Sequence, residues 1–240
     1  MYTIFISNKA GNINVYITAK SAIMFKIDSE KNSFWISIFW VFGLLSVLWI
    51  VQFIQYFGLF DFAPYGNWPQ HAAGLKGIIF SPFIHGSFDH LISNTLPMMI
   101  LLTVLLSAYP TIALPVLIFV HLLSGIMVWF LAPPDTVHIG ISGIIYGIAA
   151  FLVASGLFRR DRTSVTVAIL VTLIYGSMIW GFIPQPGISW QSHLYGAISG
   201  LIIAYILRKK DLPEPHENEL ETTEDDKHFF ETTDGNLTQP

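Results

Sequence analysis

Apolar positions along this chain run in unbroken blocks rather than alternating with polar ones. Six blocks stand out, at 34–57, 91–108, 111–131, 142–158, 165–183 and 190–207, and none contains Asp, Glu, Lys or Arg. A helix needs about 17 to 25 predominantly apolar residues to cross a bilayer. Each block therefore predicts a membrane-crossing helix, and the fold class is an all-α membrane protein with a six-helix bundle. The connection 58–89 is long and rich in Gly and Pro, and with Phe80 and Phe83 it reads as interfacial or partly embedded. Ahead of the first block, alternation at Tyr2, Ile4, Ile6 and again at Ile13, Val15, Ile17 predicts short strands around residues 8–12. The first block exceeds the 7 to 15 apolar residues of a signal peptide, about twice over, so the first helix is expected to be retained. Met24 is a second candidate translation start.

Composition agrees with the blocks. Hydrophobic residues make up 53% of the 240 and charged residues 12%, with mean hydropathy +0.58, which excludes an ordinary soluble domain. Charge divides the chain into three parts: a cytoplasmic segment 1–33, the membrane domain 34–210 and a tail 211–240. The first 210 residues hold eleven Lys and Arg against six Asp and Glu, net +5, whereas the tail holds one against ten, net −9. That tail lacks apolar periodicity and reads as disordered and solvated. Lys9, Lys20, Lys26 and Lys31 precede the first block, Arg159, Arg160 and Arg162 follow the fourth, and Arg208, Lys209 and Lys210 follow the sixth. By the positive-inside rule all three sites are cytoplasmic, giving an N-in, C-in topology.

In that topology the second, fourth and sixth helices begin on the extracytoplasmic side, at the depth of His90, Ser142 and His193. Ser142 opens the fourth block within Gly140-Ile141-Ser142-Gly143. A helix start offers free N–H groups and a positive dipole end, suited to a developing oxyanion; plain capping is the competing reading of a lone serine. His193 is an ionisable residue at membrane depth, a functional candidate by default. Gly143 and Gly147 share their four-residue spacing with Gly196 and Gly200, which predicts close packing of the fourth and sixth helices and brings Ser142 toward His193. Tyr146 follows Ser142 by one turn and is placed to support the imidazole. His90 and Asn94 share a face of the second helix and can donate toward charge on a carbonyl oxygen.

A metal site built from His85, His90 and either Asp89 or His138 is the competing reading, but no zinc signature accompanies these residues. His71, His121 and His138 receive no role. Asp89 and Asp135 lack spacing that marks a third triad member, so a Ser-His dyad is the economical proposal.

Over about residues 33–210 the chain resembles the rhomboid family of intramembrane serine proteases. Three motifs carry the resemblance in family order: His85-x4-His90-x3-Asn94, Gly140-x-Ser142-Gly143 with Tyr146, and His193-x2-Gly196-x3-Gly200. It implies Ser142 as nucleophile, His193 as general base and then acid, His90, Asn94 and the Ser142 N–H as the oxyanion site, and Tyr146 stacked under His193. It further implies a water-filled cavity open to the exterior and cleavage of single-pass proteins near the end of their membrane helix. Two departures are evident. Many bacterial relatives carry a Trp-Arg pair in the first exterior loop, whereas this loop has Trp68 followed by Pro69 and no Arg; and Ile141 replaces the common Ala beside the serine.

The expected function is thus a serine endopeptidase acting on transmembrane protein substrates. The partners are those substrates and the lipid bilayer, with no nucleic acid, and no cofactor or metal is expected. An inactive rhomboid-like protein that binds membrane clients is the main alternative, disfavoured because such proteins usually lack one dyad residue; a His-lined transporter or channel comes third. A bacterial inner membrane is the expected location.

Overall fold

The computed structural model describes residues 19–210, with side chains from Phe34 onward. The strands expected around 8–12 and the acidic tail lie outside the described residues. Helix α1 spans Ala19–Tyr56, so it begins fifteen residues before the block at 34 and runs through the boundary expected at residue 33. The connection to the second long helix is folded, with single turns at Ala63–Tyr65 and Ala72–Gly74, the short α2 at Gly77–Phe80 and a further turn at Ser81–Phe83. Then follow α3 (Phe88–Ala108), α4 (Ala113–Leu131), α5 (Ser142–Arg159), α6 (Arg162–Tyr175), a 3-10 stretch Gly176–Phe182, and α7 (Trp190–Ile206). No strand occurs among the described residues.

Among the described residues five segments are long and apolar enough to cross a membrane: Phe34–Tyr56, Phe88–Ala108, Ala113–Leu131, Ser142–Arg159 and Arg162–Phe182. By length and composition these segments suit an integral membrane protein. The block at 190–207 is helical over 17 residues. The block at 165–183 is not one α-helix, because the α geometry stops at Tyr175. Glycine lowers helix propensity at Gly176 and Gly181, and the carbonyls of Met178 and Gly181 in the tighter stretch are taken by side chains of α5 and α7.

α5 is the centre of the bundle and Arg162–Phe182 its periphery: 61% of the α5 membrane window is buried against 6% of the other. α5 packs most extensively on α7, and glycine makes that approach possible. A Cβ on Gly196 would stand 2.0 Å from the Gly143 carbonyl oxygen, and one on Gly200 2.0 Å from that of Gly147. Gly147 is closed in as well, its Cβ position lying 2.2 Å from Val120 Cγ1. Around this contact Leu91, Leu101, Val120, Ile148, Phe151 and Leu152 are completely buried. At the far end of α5, the Tyr109 hydroxyl donates to Ser164 Oγ (3.0 Å), which donates to Asp161 (2.6 Å). Asp161 also caps α6 by accepting from the Ser164 N–H at 2.9 Å.

The connection between α1 and α3 is tied to the end of α4. Trp68 donates its indole N–H to the Pro134 carbonyl (3.0 Å), Gln70 donates through Nε2 to that of Ala132 (3.2 Å), and Trp129 donates to that of His71 (3.0 Å). His121 completes the attachment from inside α4, its Nε2 lying 3.0 Å from the Ile78 carbonyl. The His121 ring therefore fastens α2 to the bundle.

Candidate active site

A cleft of about 870 Å³ opens between the starts of α3, α5 and α7, and Ser142, His193, His90, Asn94 and Tyr146 all line it. None of its lining residues is Asp, Glu, Lys or Arg.

Ser142 is the first residue of α5. Like Gly143 it has an N–H group with no acceptor inside the helix. The turn that delivers it is held on both sides, since Gly140 donates to the Ser81 carbonyl (2.9 Å) and the Ile141 N–H donates to His85 Nε2 (3.4 Å). Gly140 is obligatory on two grounds. Its φ of +101° lies in the region that favours glycine, and a Cβ there would meet His90 Cε1 at 2.7 Å.

Ser142 and His193, 7% and 8% exposed, meet directly: His193 Nε2 is 2.9 Å from Ser142 Oγ. The other ring nitrogen, Nδ1, is 2.8 Å from the Gly181 carbonyl oxygen. A carbonyl can only accept, so Nδ1 carries the hydrogen of the neutral ring. Nε2 then presents its lone pair to the serine, whose O–H donates. The Tyr146 ring lies parallel to the imidazole, with centroids 4.1 Å apart and planes 5° from each other, and its hydroxyl donates to the Met178 carbonyl at 2.8 Å. Thus one 3-10 stretch, Gly176–Phe182, fastens both the histidine and the ring beneath it.

The orienting group that triad chemistry assigns to a carboxylate is here a backbone carbonyl. Sequence reasoning missed Gly181, whose only signal is that it is glycine: a Cβ there would stand 1.9 Å from Tyr146 Oη and 3.0 Å from His193 Nδ1.

On the α3 side, Asn94 is buried and its Nδ2 group has no hydrogen-bond partner. His90 packs edge-on against His85, with ring centroids 5.0 Å apart. Burial, and secondarily the charge His90 would carry, push His85 down to about 3, so its ring is neutral and accepts from Ile141. His138, given no role from sequence, lies in the cleft wall, and burial pushes it down to about 4. His71 stacks on Trp68 at 4.3 Å. Among the described residues no three His, Asp or Glu side chains converge to hold a metal, so the alternative built on His85, His90 and Asp89 or His138 has no geometric basis.

The Rhomboid domain profile matches residues 72–210. An uncharacterized protein of Mycobacterium tuberculosis (strain H37Rv) is 31% identical over 185 residues, covering 70% of this chain and 76% of that protein. One from Mycobacterium bovis matches to the same extent. An uncharacterized protein of Mycobacterium leprae is 36% identical over 144 residues, 55% of this chain and 56% of its own.

Proposed function

We propose, from the premise that this chain belongs to the rhomboid family, that it is an intramembrane serine endopeptidase cleaving single-pass transmembrane proteins near the extracytoplasmic face of a bacterial inner membrane. The observation that carries this reading is the 2.9 Å contact from His193 Nε2 to Ser142 Oγ, with Nδ1 committed to the Gly181 carbonyl. This is a serine activated by a base whose tautomer is already correct.

In this reading Ser142 Oγ attacks the scissile carbonyl carbon as its proton passes to His193 Nε2. The imidazolium that forms donates from both nitrogens, and its charge sits over the face of Tyr146. The oxygen of the tetrahedral intermediate turns toward the Ser142 N–H, Asn94 Nδ2 and His90. Asn94 suits this role because its buried donor has no partner in the resting protein. Collapse breaks the C–N bond, and His193 hands its proton to the leaving amine. A water then attacks the Ser142 ester, again deprotonated by His193, and the acid product leaves with Ser142 restored. A cleft without formal charge suits an unfolded piece of membrane helix, whose backbone is polar and whose side chains are not.

The six-helix, N-in and C-in arrangement belongs to the same proposal. α7, at 17 residues, sits at the lower end of the roughly 17 to 25 that span a bilayer, and the basic clusters at 159–162 and 208–210 set the orientation. The experiment is labelling of detergent-purified protein with a fluorophosphonate, with mapping of the adduct, beside cleavage of a single-pass transmembrane test substrate. An adduct on Ser142 that requires His193, with cleavage abolished by Ser142→Ala, is the expected result. A folded protein that neither labels nor cleaves would move the assignment to noncatalytic client binding.

A further inference from the structure

His138 belongs to a hydrogen-bond chain whose direction can be read link by link. Thr136 donates its hydroxyl hydrogen to the Pro133 carbonyl (2.6 Å), so at its 2.9 Å contact with His138 Nε2 the threonine oxygen accepts and Nε2 carries the proton. His138 Nδ1 is then an acceptor, and it takes the hydroxyl hydrogen of Ser189. The Ser189 oxygen is in turn free to accept from Ser192 Oγ at 2.6 Å. Ser192 Oγ also lies 3.4 Å from the same ring nitrogen. All hydrogens thus point one way, from Ser192 through Ser189 and His138 to Thr136 and Pro133. The backbone of His138 is fixed as well, exchanging two 2.9 Å bonds with Asn67.

The ends of this chain are the two segments that carry the dyad: His138 stands four residues before Ser142, and Ser192 directly precedes His193. We infer that His138 is a positioning residue, which through Ser189 and Ser192 clamps the start of α7 to the turn before α5 and so sets the distance between His193 and Ser142. The inference rests on the endopeptidase reading above. A dyad contact spans only two side chains, and thermal motion of either helix start changes it; a second tie alongside it holds both backbones. Burial keeps the His138 ring neutral near pH 7, preserving the acceptor on Nδ1.

The test uses the full chain in detergent with a transmembrane test substrate, comparing wild type, His138→Leu, His138→Asn, Ser189→Ala and the double variant His138→Leu/Ser189→Ala. Expected are losses in kcat approaching the hundredfold that about 1 Å of misplacement can cost, with KM little changed. The double variant should be no worse than His138→Leu alone, since both deletions cut one chain. His138→Asn, whose Oδ1 can take the Ser189 hydrogen, should recover most of the rate. Unchanged kcat in His138→Leu and Ser189→Ala would overturn the inference, as would additive losses, or a fluorophosphonate adduct on Ser189. If His138→Leu does not fold, Ser189→Ala and His138→Asn decide by the same criteria. A wild type that neither labels nor cleaves overturns the endopeptidase reading itself, and this one with it.

Discussion

Tyr146 and His193 lie face to face, ring planes 5° from parallel and centroids 4.1 Å apart, and both are held by carbonyls of the same 3-10 stretch. The aromatic face and the hydroxyl therefore serve different purposes: the face supports the imidazole, and the hydroxyl fixes the face.

Tyr146→Phe should keep the support and lose only the bond to the Met178 carbonyl, for which a net cost of about 0.5 to 1.5 kcal/mol is ordinary. Tyr146→Ala should remove the surface under the imidazole and lower kcat much further. Turnover of a transmembrane test substrate by the two variants checks this. Equal activity in both would show that the ring does not matter to the histidine.

Asn94→Ala is expected to separate catalysis from stability. The Nδ2 donor is buried without a partner, so its removal leaves no broken bond behind and the thermal midpoint should hold or rise. Activity should fall by up to the 2.7 to 4 kcal/mol that one oxyanion donor is worth in a soluble protease, about a hundredfold or more, and less if His90 and backbone compensate. Parallel loss of midpoint and turnover would make Asn94 structural.

Gly196→Ala places a methyl 2.0 Å from the Gly143 carbonyl oxygen. The helices must separate, at a cost of about 1 to 3 kcal/mol or more, and the shift also moves His193, three residues away. Gly43→Ala is the control, because its Cβ meets nothing within 4 Å and alanine favours the helix by roughly 1 kcal/mol. Thermal unfolding in one detergent should rank Gly43→Ala at or above wild type and Gly196→Ala well below it.

Acid should destabilise the protein through His85 and His138. Burial holds each neutral, at about 3 and about 4, against the 6.5 ordinary for histidine. Between those values and 6.5 the unfolded chain binds more protons than the folded one, so stability rises with pH there and is complete above 6.5. Descending through the window, each histidine removes up to about 1.4 kcal/mol per pH unit. Unfolding midpoints from pH 7 to pH 4 check the slope, and His85→Gln should flatten it. An unaltered slope in that variant counts against His85 as a contributor.

Much of this architecture was legible in the chain because it rests on residue types at fixed spacing. Charge-free blocks of bilayer length announce helices. Positions four apart put His90 beside Asn94 and Ser142 beside Tyr146 on single faces, since that is how a helix repeats. Matched glycine spacing in two blocks signals backbones in contact. What the tertiary structure alone decided involves groups that carry no such signature. Every residue has a carbonyl, so nothing in the sequence distinguishes Gly181 as the acceptor that orients His193. The change from α to 3-10 geometry after Tyr175 is invisible to a count of apolar residues, which is the same for either helix. His138 seemed unattached because its partners, Ser189 and Ser192, are more than fifty residues away and come to it only when α7 packs on α5. Side-chain type and period are local properties; the pairing of a ring nitrogen with one oxygen among hundreds is settled by packing.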